Sequence, residues 1–192
     1  MTKGFDVYPE GYVDRKQEWN KPVLPVLKIP AGSFEAWVAA TDLPPHPGAL
    51  GPSACAWEIL RLGATKPVKS EVRPGDPIES DEQKAYVAGV LGVLERLPAG
   101  SSVVICCNAK WVINGLNGDL DKWKAEGRLK GSKAVAYATI WGRILEARAR
   151  VNADPRKIKG KQLKDDDIRS SEIIARLQAK AKRVRPRLKA RR

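Results

Sequence analysis

One histidine, His46, is the entire imidazole content of this 192-residue chain. A His-pair metal site is therefore excluded, and a Ser-His-Asp triad would need His46 itself. Cysteine is scarce too: Cys55, Cys106 and Cys107 are an odd set, the last two adjacent in an apolar run. That pattern argues against a disulfide framework and for the cytoplasm or another reducing intracellular compartment. Neither C-x-x-C nor H-E-x-x-H occurs, so no structural zinc is expected. No apolar run reaches the roughly 18 residues that span a bilayer. The opening MTKGFDVYPEGYVDRK has no signal-peptide h-region, so no membrane association is expected. Acid is the last thing in short supply, with 35 Lys and Arg against 22 Asp and Glu and a net charge of +13.

The excess of base is concentrated late. RLQAKAKRVRPRLKARR, residues 176–192, carries nine basic residues and no acid. Such a surface attracts polyanions through phosphate contacts, and nucleic acid is the expected partner. An acidic protein partner or a ribonucleoprotein assembly is the alternative.

Along the chain, residues 1–32 read as an extended arm in which Pro9, Pro22, Pro25 and Pro30 discourage regular structure. A domain follows over 33–183, and 184–192 is a basic tail. FEAWVAAT (34–41) and ACAWEILRLG (54–63) are apolar strands separated by the Pro- and Gly-dense DLPPHPGALGPS, and the alternation in ATKPVKSEVRP predicts an exposed third strand. A helix begins near SDEQ, with Ser80 as N-cap and Gln83 at the capping-box position, and carries Ala85, Val87, Val90, Leu91, Leu94 and Leu97. SSVVICC (101–107) is a fourth strand, and a helix opens at Asn108. A short helix around Asp119–Glu126 and a longer one in AVAYATIWGRILEARARV come next. A short fifth strand is expected near Arg148–Ala153, then a charged loop, DPRKIKGKQLKDD, and a final helix in DIRSSEIIARLQAKAKR. Three successive strands followed by strand–helix crossovers predict a mixed α/β sheet of five strands, antiparallel on one side and flanked by helices.

Asn108 stands alone at the carboxyl end of the fourth strand, beside the crevice where open α/β sheets bind ligands. It suits a helix N-cap. Its amide, both donor and acceptor, also suits a ribose hydroxyl or phosphate. Trp57, Trp111 and Trp141 read as core. Trp123 lies between Lys122 and Lys124, where a surface aromatic could meet nucleic acid. His46 is a loop residue, and Cys106 and Cys107 are buried fillers.

Several of these stretches resemble one family. ATDLPPHPGALGPSACAWEIL is similar to the first hairpin of type 1 ribonuclease H, whose pattern is TDG, a Gly/Pro loop, small residues and an apolar strand. SDEQKAYVAGVLGVLERLPAG falls where that family has its TNNRMELLA helix, and VVICCNAKWVINGL where it has a strand ending in TDS-x-[YW]-V. KAVAYATIWGRIL is similar to its PVKNxDLW helix, with Trp141 on the family tryptophan and Trp123 on an earlier one. DIRSSEIIARLQAKA falls where the family has NERADELA. The resemblance spans about residues 34–181 and implies a ribonuclease H-like mixed five-stranded sheet.

It also implies a site. The family uses four carboxylates to hold two Mg²⁺ ions that cut the RNA strand of RNA–DNA hybrids. Carried over residue by residue, the first aspartate is Asp42, the helix glutamate falls on Ala85, the strand-end aspartate on Asn108 and the last aspartate near Ser171. The histidine expected before the final helix is absent. Asp42 alone is a weak metal site, so no cofactor is expected, with Mg or Mn required if the chain is active. Glu82 and Asp167 lie one helical turn from the substituted positions and are possible displaced acids, although both also suit the first turn of a helix. Lys110 and Asn114, on the helix where family members contact DNA, join Lys122, Trp123, Lys124, Arg183, Arg185 and Arg187 as candidate nucleic-acid contacts. The leading expectation is a degenerate domain that binds an RNA–DNA hybrid or structured RNA without efficient cleavage. The alternatives are an active metal-dependent ribonuclease H, and a structural subunit of a ribonucleoprotein or other assembly.

Overall fold

The structure, a computed structural model, describes residues 23–42, 53–74, 82–163 and 167–184. Its sheet has five strands: β1 (Ser33–Asp42), β2 (Ser53–Arg61), β3 (Lys69–Pro74), β4 (Ser102–Cys107) and β5 (Ile158–Gln162), in the spatial order β3-β2-β1-β4-β5. β1 pairs antiparallel with β2, and β2 with β3. β4 joins β1 in parallel, and β5 joins β4 in parallel. The helices are α1 (Glu82–Arg96), α2 (Lys110–Asn114), α3 (Leu120–Ala125), α4 (Ala138–Val151) and α5 (Ile168–Val184), with a π-helical turn, Gly115–Asp119, joining α2 to α3. Among the described residues no helix is long and apolar enough to cross a membrane.

β1 is buried on both faces, which is why its sequence is a near-continuous run of apolar and small residues. Phe34, Ala36, Val38 and Ala40 join one core with α1 and α4, while Trp37 and Ala39 join a second core with Ile173, Ile174, Leu177 and Ala181 of α5. The small side chains of β1 let α1 come close. A Cβ on Gly92 would lie 2.7 Å from Cη2 of the fully buried Trp57. Gly92→Ala should therefore cost about 1–3 kcal/mol by overpacking, despite the better helix propensity of alanine. Urea unfolding checks this, and a stabilised variant would show that Trp57 can move aside.

Glu58 on β2 faces α5 with its side chain 3% exposed. It accepts from Lys180 Nζ at 2.8 Å, from Arg176 and from Ser70 Oγ, tying β2, β3 and α5 together. Burial pushes its carboxyl up, but the bonds from Lys180 and Arg176 outweigh that and hold it below its ordinary value of 4.5. The stability it contributes is thus fully present above pH 4.5 and is lost as pH falls through the lowered folded value. Unfolding free energies compared at pH 7 and pH 4 should show this loss, and Glu58→Gln should reduce it. An identical pH dependence in the variant would place the acid sensitivity elsewhere.

Three expectations need correction. The fifth strand is not near Arg148–Ala153: α4 runs on to Val151, carrying Ile140, Ile144, Ala147 and Val151 into the core. β5 lies instead inside the stretch expected to be a charged loop, preceded by the 3-10 turn Pro155–Lys157, in which Asp154 accepts from Arg156 N–H. The third strand is confined to Lys69–Pro74, and the longer helix starts only at Ala138. The capping role of Ser80 and the loop position of His46 lie outside the described residues.

Residues 23–32 form neither helix nor strand, yet they are docked. Leu24, Leu27 and Ile29 pack on the α1-side core. Leu27 N–H donates to Arg96 C=O at 2.8 Å, Leu24 N–H to Glu95 Oε2 at 3.2 Å, and Arg96 Nη1 to Pro25 C=O at 2.7 Å. Arg61 Nη2 reaches Pro30 C=O at 2.8 Å. This segment is a strap across the carboxyl end of α1.

Candidate functional site

The carboxyl ends of β1 and β4 and the first turns of α1 and α5 supply the residues singled out from the sequence. Asp42 is the last residue of β1, its backbone paired with Ser53, and its side chain is outside what the structure describes. The β1–β4 ladder ends at Trp37 opposite Cys106. Continued at the same step, it sets Asn108 beside Ala39, which leaves Asp42 three residues further on, roughly 10 Å along the strand. The backbone register thus sets these two positions at different levels of the sheet.

Asn108 is exposed. Its carbonyl accepts from Gln162 Nε2 at 3.1 Å, which ties the end of β4 to the end of β5. It does not cap the following helix, because the N-cap of α2 is Ala109, with no side-chain capping bond. The amide of Asn108 is left pointing to no described partner.

Ala85 is 3% exposed and belongs to the apolar core. Its neighbour Tyr86 is the α1 side chain that meets the strand ends. The Ala40 backbone hydrogen-bonds the Tyr86 hydroxyl, and Glu82 and Cys107 lie close enough to act on it electrostatically. Burial first, then Glu82 and Cys107, push this phenol well above its ordinary value, so it is a neutral O–H donor at physiological pH. Tyr86 follows Ala85 by one position, a rotation of about 100° on the helix. Cys107 is likewise held as a thiol, pushed up to about 12 by burial.

At the other helix, Ser171 is exposed and its N–H donates to Asp167 C=O at 2.9 Å. The Asp167 carboxylate accepts from Ser170 Oγ and from Ser170 N–H, and these bonds hold it below the usual carboxylate range. Asp167 therefore closes the first turn of α5. Glu82 is half-buried in the first turn of α1. Mg²⁺ asks for several hard oxygen ligands, chiefly carboxylates. Among the described residues no three His, Cys, Asp or Glu side chains group as a metal site. The described donors here are a phenol, an amide, a serine, Asp167 bonded within its own turn and Glu82 in the first turn of α1, a set that does not fit a two-metal centre.

The candidate nucleic-acid contacts fall into two groups. Lys110 and Asn114 are exposed on α2, and Lys122 and Lys124 are exposed on α3, with Lys122 4.0 Å from Glu126. Trp123 is half-buried, its ring edge-on to Trp141 at 5.4 Å. Trp111 meets Trp141 at 5.7 Å and Tyr137 at 5.8 Å, so the three tryptophans anchor α2, α3 and α4 to each other. Arg183 is exposed in the last turn of α5, on the opposite face of the sheet, and Arg185 and Arg187 lie outside the described residues. Among the described residues, Arg183 is not brought together with the α2 and α3 group.

Compared with known proteins, the chain matches no family model. It is 28% identical over 130 residues to the ribonuclease H of Roseobacter denitrificans, covering 67% of this chain and 83% of that protein. Its fold superposes on the PFV RNase H domain with a TM-score of 0.57 at 16% identity, covering 77% of this chain and 92% of that one. The chain has a ribonuclease H-like fold. A third match, at a TM-score of 0.52 and 12% identity and covering 77% of this chain and 97% of the other, is LC11-RNase H1 in complex with an RNA/DNA hybrid. The ribonuclease H-like fold accounts for the sheet order, for the parallel β1–β4 pair, and for helices on both faces.

Proposed function

We propose that this ribonuclease H-like chain binds an RNA–DNA hybrid or structured RNA and cleaves it inefficiently or not at all. The observation that carries the reading is the chemistry at the strand ends, where Ala85, Asn108 and Ser171 stand at positions where the resemblance implies carboxylates, and Tyr86 beside Ala85 offers a neutral phenol. Binding of an A-form minor groove rests on 2′-hydroxyl and backbone contacts. Such contacts need donors and cations, which Lys110, Asn114, Lys122 and Lys124 supply, and fewer carboxylates mean less repulsion toward phosphate. The complex of LC11-RNase H1 with a hybrid supports the choice of ligand.

The test is a cleavage assay on a labelled hybrid in Mg²⁺ and Mn²⁺, run beside a binding measurement on the same substrate. Binding without turnover supports the reading, and metal-dependent cutting of the RNA strand overturns it. The second reading, an active nuclease, is favoured by the name of the curated relative and by the presence of Asp42 and Glu82.

Restoring carboxylates separates the two α1 positions. Tyr86→Glu with Asn108→Asp and Ser171→Asp should introduce Mg²⁺ binding visible by calorimetry. Ala85→Glu in place of Tyr86→Glu should bring no metal binding, while both triple variants should lose stability, on the order of several kcal/mol, because Ala85 and Tyr86 are both buried in one apolar core. Equal metal binding by the two triple variants would show that α1 is placed wrongly against the strand ends.

A further inference from the structure

On the outer flank of β5, away from the strand ends, lies a cavity of about 390 Å³ walled by the π-helical turn, α3, α4, the 3-10 turn and β5. Its inner wall is fixed by Asn117, whose amide bonds the free edge of β5 twice: Nδ2 donates to Gly160 C=O at 3.0 Å and Oδ1 accepts from Gly160 N–H at 2.8 Å. The charge in the lining is lopsided, with Arg148, Arg156 and Lys159 against Asp121, although Arg156 is already bonded through Nε at 2.9 Å and Nη2 at 3.1 Å to the Asp154 carboxylate beside the cavity.

The central cation is Arg148. Its side chain is 6% exposed and paired with Asp121, whose own side chain is 52% exposed. Arg148 Nη1 donates to Asp121 Oδ2 at 3.0 Å and Nη2 donates to Oδ1. Those bonds use two of the five guanidinium N–H groups. A buried, always-charged fork held by an exposed and replaceable carboxylate is suited to an incoming tetrahedral oxyanion. Arg156 and Lys159, both exposed, stand at the same cavity. Leu116 and Ile158, both almost fully buried, back the floor, and the exposed ring of Pro155 at the rim is the apolar surface that a flat ring can meet. The volume is that of a small ligand rather than of a bare ion.

We propose that this cavity binds a phosphate monoester of nucleotide size, with Arg148 and Lys159 meeting the phosphate, Arg156 turning from Asp154 to close over it, and the Pro155 rim meeting the base. The site is separate from the strand ends and does not depend on what they bind. The ligand chemistry is shared by a free nucleotide and by the phosphorylated end of a strand.

The experiment follows the backbone amides of Asn117, Lys159 and Gly160 by ¹⁵N–¹H NMR. AMP, inorganic phosphate, adenosine, and a short oligonucleotide with or without a 5′-phosphate are titrated at constant ionic strength. AMP is expected to give saturable shifts at these amides, phosphate weaker ones and adenosine none. The oligonucleotide response then assigns the source: shifts that need the 5′-phosphate point to a strand end, and shifts from AMP alone to a free nucleotide. Arg156→Gln with Lys159→Gln should weaken AMP binding by about fivefold or more, the scale of exposed charge contacts. Asp121→Asn should tighten it by removing the competing carboxylate. Both variants act at exposed positions, and an unchanged spectrum elsewhere verifies the fold. No saturable shift with AMP, equal shifts with adenosine, or an affinity that ignores both variants would overturn the proposal.

Discussion

Trp141→Ala is expected to lower the free energy of unfolding by about 3–5 kcal/mol, the usual range for emptying a buried tryptophan site. The indole is fully buried, with Trp111 and Trp123 edge-on to it, and a Cβ on Gly115 would sit 2.5 Å from its Cη2. Three elements close on one ring, so the hole could be filled only if α2, the π-helical turn and α3 moved together. Protein interiors rarely collapse that far. A domain of this size is stable by only about 5–15 kcal/mol, so the variant should unfold at markedly lower urea. Amide exchange should accelerate first over residues 110–125. A decrease near 1 kcal/mol would mean that this segment is held from elsewhere.

The second large effect is electrostatic. Deleting 184–192 removes Arg185, Arg187, Lys189, Arg191 and Arg192 while leaving α5 complete but for its last residue. Affinity for a nucleic-acid duplex should fall by about a hundredfold near 0.15 M salt. The slope of log K against log salt should flatten by about 0.9 for each phosphate that the tail neutralises in the intact chain. Thermal stability should change little, since termini of this composition seldom carry a fold. If neither affinity nor slope moves, the tail serves a protein contact or solubility instead.

Much of the architecture was legible because its signals are strong. β1 and β2 are long apolar runs, the pattern Val87, Val90, Leu91, Leu94 marks α1, and the order of the elements leaves few ways to arrange the sheet. β5 was not legible for a physical reason. It is an edge strand in which only Ile158 is buried, and its other inward position is Gly160, over which Ile113 of α2 lies. A strand that turns one isoleucine and one glycine inward has no alternation to read, whereas Ala149, Val151 and Ala153 alternate with polar residues over 148–153, a pattern that suggests a strand there. At the site, matching motifs placed Asn108 and Ser171 at element ends, but a motif cannot fix rotation about a helix axis, and the bond between Tyr86 and the Ala40 backbone has no signal in the sequence. The cavity beside β5 left no sequence signal at all. Its cations come from α4, the 3-10 turn and β5, and the fold alone brings them together.

The strap formed by residues 23–32 has a kinetic consequence. Leu27 and Leu24 reach partners about seventy residues later in the chain, at Arg96 and Glu95. Closing so long a loop gains only a few hydrogen bonds and apolar contacts, so the strap belongs among the last parts to form and the first to open. Its departure would uncover the end of α1 and the bidentate partner of Glu71, Arg96, before any strand separates. A partially open species with an intact sheet and a loose leading segment is therefore built into the folding landscape. Proteases acting under native conditions should find that species, and so nick the chain ahead of Ser33, long before they find the unfolded state.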